Sequence, residues 1–103
     1  MRPREIVMEG TPTSLGVRAE PWHLSFERAW KWCVLTTLHD LRLSVRRRRT
    51  VSLPNTRRLF LRRFNDLCRH RHLPESSSAC QRQERLGVLF IQQQYAAEAG
   101  RSV

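Results

Sequence analysis

The sequence is short of several features that define common classes of protein. Lys31 is the only lysine beside eighteen arginines, and only nine residues are acidic. The three cysteines, Cys33, Cys68 and Cys80, lack the spacing of a disulfide framework, which argues against a secreted domain and favours a reducing compartment. No apolar run has the length of a transmembrane helix or a secretory signal, so we expect a protein that is neither secreted nor membrane-spanning.

The sequence also lacks a glycine-rich phosphate loop, a nucleophile elbow and a His-Glu pair with metal-binding spacing. The one constellation of potential metal ligands comprises Cys68, His70, His72 and Cys80. We do not expect it to bind zinc, because His70 would point away from Cys68 and His72 on a helix. A foldable part of about 75–80 residues rarely forms an active-site pocket. We therefore predict a non-catalytic protein without a cofactor.

Positive charge is what the sequence has in excess, and it is concentrated in residues 42–71. This segment holds eleven arginines against the single acidic residue Asp66, so its net charge of +10 equals that of the whole chain. Guanidinium groups bind phosphates bidentately and stack on bases, whereas a lysine ammonium acts as a point charge. The bias favours nucleic acid as the ligand, although a GC-rich gene or an overlapping reading frame would produce it without selection for binding.

The hydrophobic pattern predicts an all-α fold of two or three helices behind a flexible arm. Residues 1–24 contain three prolines and two glycines and show no sustained period, which is typical of irregular chain. From Ser25 the apolar residues recur at three- and four-residue steps, which predicts a helix over 26–47 with Ser25 as its N-cap. Its apolar stripe, residues 26–45, is expected to pack on the stripe of a second helix.

The second helix is predicted over 56–72, with Pro54 in the preceding connection and Asn55 as the N-cap. Its apolar stripe spans 59–67, and Arg62 is expected to pair with Asp66 on the opposite face.

A third helix is predicted over 79–98, after a capping box formed by Ser78 and Gln81, and residues 100–103 are predicted as a tail. The continuous apolar run 86–91 is compatible with a short strand, but the good helix formers around it favour a helix. Because the helical region 25–99 is small, we expect it to be marginally stable and only partly folded alone, unless a partner or a second copy of the chain contributes.

The predicted nucleic-acid interface consists of the arginines of the basic segment. Neutralising backbone phosphates would give a salt-dependent affinity of low sequence specificity for RNA or DNA, with RNA preferred, and the same cluster has the form of a nuclear or nucleolar localisation signal. Phe60 and Phe64 are compatible with base stacking, but their helical spacing favours the core. An accessory or regulatory protein, for instance a viral one, fits these properties. The predicted binding residues are Arg42, Arg46, Arg47, Arg48, Arg49, Arg57, Arg58, Arg62, Arg63 and Arg69.

An alternative interpretation is an amphipathic helix that docks on an acidic membrane surface or in the groove of a partner protein, such as an acidic one. Trp30 lies on the apolar stripe and is expected in the core, whereas Trp32 lies off it and is expected to be exposed. Trp22 and Trp32 are therefore the predicted partner or membrane contacts.

Thr50 and Ser52 follow arginines at the spacing that basophilic kinases select. A phosphate on either hydroxyl would add about −1.5 to −2 charge inside the basic segment and weaken polyanion binding. We predict these two residues as phosphorylation sites that switch binding off.

Overall fold

The computed structural model describes residues 21–101, and these residues contain three α-helices and no strand. After a 3-10 turn at Pro21–His23, the helices are α1 (Phe26–Arg46), α2 (Leu53–His70) and α3 (Ser78–Arg101). The predicted all-α class is confirmed. Most of the predicted arm and the last two residues of the predicted tail lie outside the described residues.

Helix α1 begins where the sequence predicts. The Arg28 backbone N–H donates to Ser25 Oγ at 3.2 Å, so Ser25 satisfies one of the unpaired donors of the first turn. The helix buries residues at the expected three- and four-residue steps, among them Val34, Leu38 and Leu41.

Helix α2 begins three residues earlier than predicted, at Leu53, and its N-cap is Ser52 instead of Asn55. Ser52 Oγ accepts from the Asn55 backbone N–H at 3.2 Å. Pro54 lies inside the first turn, where its missing N–H leaves no hydrogen bond unmade and its fixed φ suits a helix. The proline therefore lies in the first turn of this helix, and the prediction that it belongs to the connection is wrong.

Helix α3 begins at Ser78. Ser77, one residue before the predicted capping box, accepts a hydrogen bond from its first turn and so acts as the cap. Ser77 Oγ accepts from the Cys80 backbone N–H at 3.4 Å. The run 86–91 is helical, as favoured: Ile91 is buried, whereas Leu86 and Leu89 point outward. The helix continues to Arg101, past the predicted end at 98.

One apolar core joins the three helices. The predicted stripes of α1 and α2 both contribute to it, through Val34 and Leu38 from α1 and Phe60 and Phe64 from α2, and α3 adds Ile91. Trp30, the expected core residue, packs against this core. Its indole N–H donates to the Gln83 carbonyl of α3 at 2.8 Å, which satisfies the polar end of a largely apolar side chain.

Gly87 lets α3 come close to α2. A Cβ atom at this position would lie 2.1 Å from Cζ of Phe60, a separation that real Cβ atoms do not adopt. The ring of Phe60 is completely buried and stacks on Phe64 with centroids 5.8 Å apart. Only glycine fits here, which explains a glycine in the interior of a long helix.

Candidate nucleic-acid interface

The arginines of the basic segment divide into two groups according to where their side chains lie. We call the exposed ones the outer arginines and the partly buried ones the inner arginines. The outer arginines are Arg46, Arg47, Arg48, Arg49, Arg58, Arg62 and Arg69. The inner arginines are Arg42, Arg57, Arg63 and Arg71.

Arg63 is an inner arginine that contacts three side chains of one neighbouring helix. Its guanidinium lies 2.6 Å from a carboxylate oxygen of Asp40 and donates to the hydroxyls of Thr36 and Thr37 at 3.1 and 3.3 Å. All three partners belong to α1, and both threonines are buried. Arg63 therefore fastens α2 to α1.

The other inner arginines connect further pairs of elements. Arg42 of α1 pairs with the buried Glu98 of α3 at 3.0 Å, and Arg57 of α2 donates to Gln92 of α3 at 3.2 Å. Arg71 donates to the carbonyl of Leu24, ahead of α1. The predicted nucleic-acid interface includes three of these arginines, Arg42, Arg57 and Arg63. In the structure, the side chain of each one forms hydrogen bonds with protein partners.

The largest cluster of outer arginines, Arg46–Arg49, lies where α1 ends. Arg48 adopts a left-handed conformation with φ of 59°, and its N–H donates to the Val45 carbonyl at 3.0 Å. The Arg49 N–H donates to the Ser44 carbonyl at 2.9 Å, which completes a Schellman motif. Glycine usually occupies the position of Arg48, because a residue with a Cβ adopts the left-handed conformation at a cost in free energy. The helix ending leaves the four adjacent arginines, Arg46–Arg49, exposed.

A cleft of about 810 Å³ opens beside this cluster. Arg46, Arg48, Arg49 and Thr50 form its polar part, and the remaining lining is apolar or aromatic. That remaining lining comprises Leu41, Val45, Val51, Tyr95 and Ala99. Apolar walls with a few convergent charged groups are typical of ligand sites, and this volume lies within their usual range.

Tyr95 fixes one wall of the cleft, and the sequence analysis did not single it out. Its hydroxyl donates to the Val51 carbonyl at 2.8 Å, which ties α3 to the connection between α1 and α2. A signal was present: Tyr95 lies four residues after the buried Ile91, on the same helix face. A tyrosine at the edge of a buried stripe has a hydroxyl that requires a partner.

The remaining outer arginines lie along α2. Arg58 contacts the side chain of Asn55 at 3.1 Å. The predicted pair of Arg62 with Asp66 is replaced by a pair of Arg69 with Asp66, three residues apart at 3.4 Å. The acidic residue then precedes the basic one, the orientation that suits the helix dipole. Among the described residues, Arg46–Arg49 take part in no ion pair.

The predicted aromatic contacts are turned inward. Phe60 and Phe64 are completely buried, so neither ring is available to stack on a base. Trp32, expected to be exposed, is partly buried and packs against the core. Trp22 also packs there, with its ring 4.5 Å from that of His70. The apolar surface of α1 is therefore wider than its three- and four-residue stripe.

The two predicted phosphorylation sites differ in their surroundings. Thr50 is exposed and lines the cleft. Ser52 is partly buried, and its hydroxyl already serves as the N-cap acceptor of α2.

Other chemistry is scarce in the described part of the chain. Residues 21–101 hold no group of three or more cysteine, histidine or acidic side chains placed to bind a metal ion. Over the same residues, no helix combines the length and the apolar character needed to cross a membrane. Comparison of the chain with protein-family models, with curated proteins and with solved structures finds no match.

Proposed function

We propose that this protein is a non-catalytic RNA-binding protein that acts in an accessory or regulatory capacity through Arg46–Arg49 and the adjoining cleft. The observation that carries the proposal is the exposure of four consecutive guanidinium groups that form no ion pair with described residues. Concentrating such charge on a small domain destabilises it through repulsion between the arginines, and bound phosphates would relieve that repulsion. Binding would also release the counterions condensed on the RNA, which favours the complex.

The cleft favours RNA with unpaired bases over a continuous duplex. Its apolar walls, Val45 and Tyr95 among them, offer surface to an unstacked base. Arg46 and Arg49 line the same cleft, and we expect their guanidinium groups to bind the flanking phosphates. The bases of a duplex are stacked and paired, so duplex RNA would contact the arginines but not the apolar walls of the cleft.

The experiment is fluorescence anisotropy with a labelled single-stranded RNA at two salt concentrations. We expect Arg46→Gln/Arg49→Gln to weaken binding about tenfold and to lower the slope of log affinity against log salt by roughly 1.4, or about 0.7 per lost phosphate contact. The control, Arg82→Gln/Arg85→Gln, removes the same charge from exposed positions on α3. Equal losses in the two variants would show that affinity follows net charge alone and would contradict a site.

The membrane alternative is tested by flotation with anionic vesicles, with Arg46→Gln/Arg49→Gln and a further variant, Leu89→Ser. Trp22 and Trp32 give it little support because both pack against the core. The large exposed apolar side chains lie on α3 instead: Leu86, Leu89 and Phe90 are 47, 56 and 40% exposed. Vesicle binding lost in Leu89→Ser and retained in Arg46→Gln/Arg49→Gln would favour membrane docking over RNA binding.

Two further properties belong to this proposal. In a eukaryotic cell we expect nuclear or nucleolar accumulation of a fluorescent fusion, with loss of accumulation in Arg46→Gln/Arg49→Gln.

We also expect Thr50→Asp to weaken RNA binding, because Thr50 lines the cleft and a negative charge there repels the phosphates. Unchanged RNA affinity in Thr50→Asp/Ser52→Asp would refute the phosphorylation switch.

A further inference from the structure

Two thiols meet where α2 ends and α3 begins. Cys68 lies in the last turn of α2 and Cys80 in the first turn of α3, and their sulfur atoms are 2.9 Å apart. Both cysteines are free and buried, at 8 and 4% exposure.

The connecting turn holds the two sulfurs in place. His72 adopts a left-handed conformation, and the Leu73 N–H donates back to the Cys68 carbonyl at 2.9 Å. At the other side of the turn, Ser77 caps α3 and donates its own N–H to the Pro74 carbonyl. Hydrogen bonds of the backbone thus fix both helix ends, so the contact between the thiols follows from the fold.

Little movement separates these thiols from a covalent bond. A disulfide has its sulfur atoms about 2.05 Å apart, so closure requires the two atoms to approach by about 0.9 Å. The third cysteine, Cys33, lies on α1 and is fully buried, and among the described residues only Cys68 and Cys80 have their sulfur atoms in contact. The fold therefore selects one pair among the three cysteines.

A cleft of about 460 Å³ beside the pair gives a small oxidant access to it. Cys68 and Cys80 both line this cleft, together with Glu75, Glu84 and Arg69. A small uncharged oxidant suits a cleft that carries charges of both signs, because neither sign repels it.

We propose that Cys68 and Cys80 form an intramolecular disulfide that joins α2 to α3 under oxidising conditions. One protein thiolate attacks a sulfur of a small external disulfide, forming a mixed disulfide and releasing one thiol. The second protein thiolate attacks the first protein sulfur and releases the other thiol. The protein loses two protons and two electrons, and the external disulfide takes up both. The disulfide goes beyond the proposed RNA binding and does not depend on it.

The reaction is expected to be slow at neutral pH. Burial raises the pKa of the Cys68 thiol to about 12, and the neighbouring Cys80, Cys33 and Glu84 add to the effect. Because the thiolate is the reactive form, the thiolate fraction of Cys68 and the rate of the step in which Cys68 attacks should rise about tenfold per pH unit between pH 7 and 9.

The test uses the full chain with bis(2-hydroxyethyl) disulfide at pH 8.5, followed by intact-mass and peptide mapping. We expect the loss of two hydrogens, a linked peptide pair containing Cys68 and Cys80, and a Cys33 that remains free for alkylation after unfolding. The thermal midpoint should rise by roughly 10 °C and fall back on reduction.

Matched variants make the result specific. Cys68→Ser and Cys80→Ser should give only a mixed adduct and no rise in the midpoint, whereas Cys33→Ala should still form the link. Mixed adducts without an internal bond in the wild-type chain, or a bond to Cys33, would overturn the proposal. Since Cys68 and Cys80 do not line the arginine cleft, RNA affinity should be the same in both redox states, so the two proposals fail independently.

Discussion

The inner and outer arginines come from one segment and have the same chemistry, yet the structure uses them differently. Arg63 contacts Asp40 and two buried threonine hydroxyls, whereas Arg62, its neighbour in the chain, is exposed. The difference arises from helix geometry: Arg63 lies three residues after Phe60 and four before Leu67, at the border of the buried face of α2. A high density of one residue type therefore serves folding and surface charge at the same time.

The first prediction concerns the interior that the inner arginines border, and it uses alkaline pH. We expect the free energy of unfolding to fall as the pH rises, because a buried thiol close to Arg63 resists ionisation. Burial raises the pKa of the Cys33 thiol to about 12, with a smaller lowering by Arg63 and a still smaller rise due to Asp66. An unfolded thiol ionises near pH 9, so the stability that the protonated thiol contributes is complete below pH 9 and is lost as the pH rises to about 12. Cys68, whose pKa is also raised to about 12, acts in the same direction.

Urea unfolding at pH 8 to 11 in reductant measures this effect. The free energy of unfolding should fall with pH in the wild-type chain and fall less steeply in Cys33→Ala. If the free energy of unfolding fell equally steeply with pH in the two proteins, the pKa of Cys33 would not be raised by folding.

The second prediction concerns Arg63 against Arg62. Arg63→Met should lower the free energy of unfolding by about 2–3 kcal/mol, because buried hydroxyls lose a charged donor and Asp40 loses its partner. Arg62→Met should change it by less than about 0.5 kcal/mol. Urea titration separates the two variants, and equal stabilities would show that the interior contacts of Arg63 contribute nothing.

The third prediction compares two ion pairs. Arg42→Met should destabilise the fold by about 1–2 kcal/mol, because Glu98 is buried and loses a cation. Arg69→Met should have almost no effect, since both members of its pair with Asp66 are largely exposed. A double-mutant cycle of Arg42→Met with Glu98→Gln should show coupling by urea unfolding. Additive losses would exclude a direct interaction between the two side chains.

The fourth prediction compares the two left-handed residues. Arg48→Gly and His72→Gly should each stabilise the fold by roughly 0.5–1 kcal/mol, because glycine adopts this conformation without a clash of Cβ. Only Arg48→Gly should also weaken RNA binding, since His72 does not line the arginine cleft. The checks are thermal unfolding and anisotropy, and equal RNA affinities in the two variants would place Arg48 outside the interface.

The sequence was sufficient for the features that depend on neighbours in the chain. The stripe of α1, the cap at Ser25 and the burial of Phe60 and Phe64 all follow from spacing along one helix. The start of α2 was missed because Pro54 is compatible both with a connection and with the first turn of a helix, and the Ser52 cap decides between them.

The candidate site was harder to predict, because its boundary depends on how the helices pack. Spacing places Arg42, Arg57 and Arg63 beside apolar positions, but it does not identify their partners. Glu98 and Gln92, which contact Arg42 and Arg57, lie on α3, and Asp40, which contacts Arg63, lies on α1, at distances in sequence that no local pattern encodes. The cleft depends on Tyr95 meeting Val51 for the same reason. The exposed cluster Arg46–Arg49 was recognisable because four adjacent charges cannot all turn inward.

The contact between Gly87 and Phe60 also has a mechanical consequence. Gly87 lies seven residues after Cys80 and eight before Tyr95, so α3 extends about 10 Å to one and about 12 Å to the other. The ring of Phe60 meets the backbone of α3 between these two points and leaves no room for a side chain there. The contact anchors the middle of α3, so we expect closure of the thiol pair at one end to leave the wall of the arginine cleft at the other end in place.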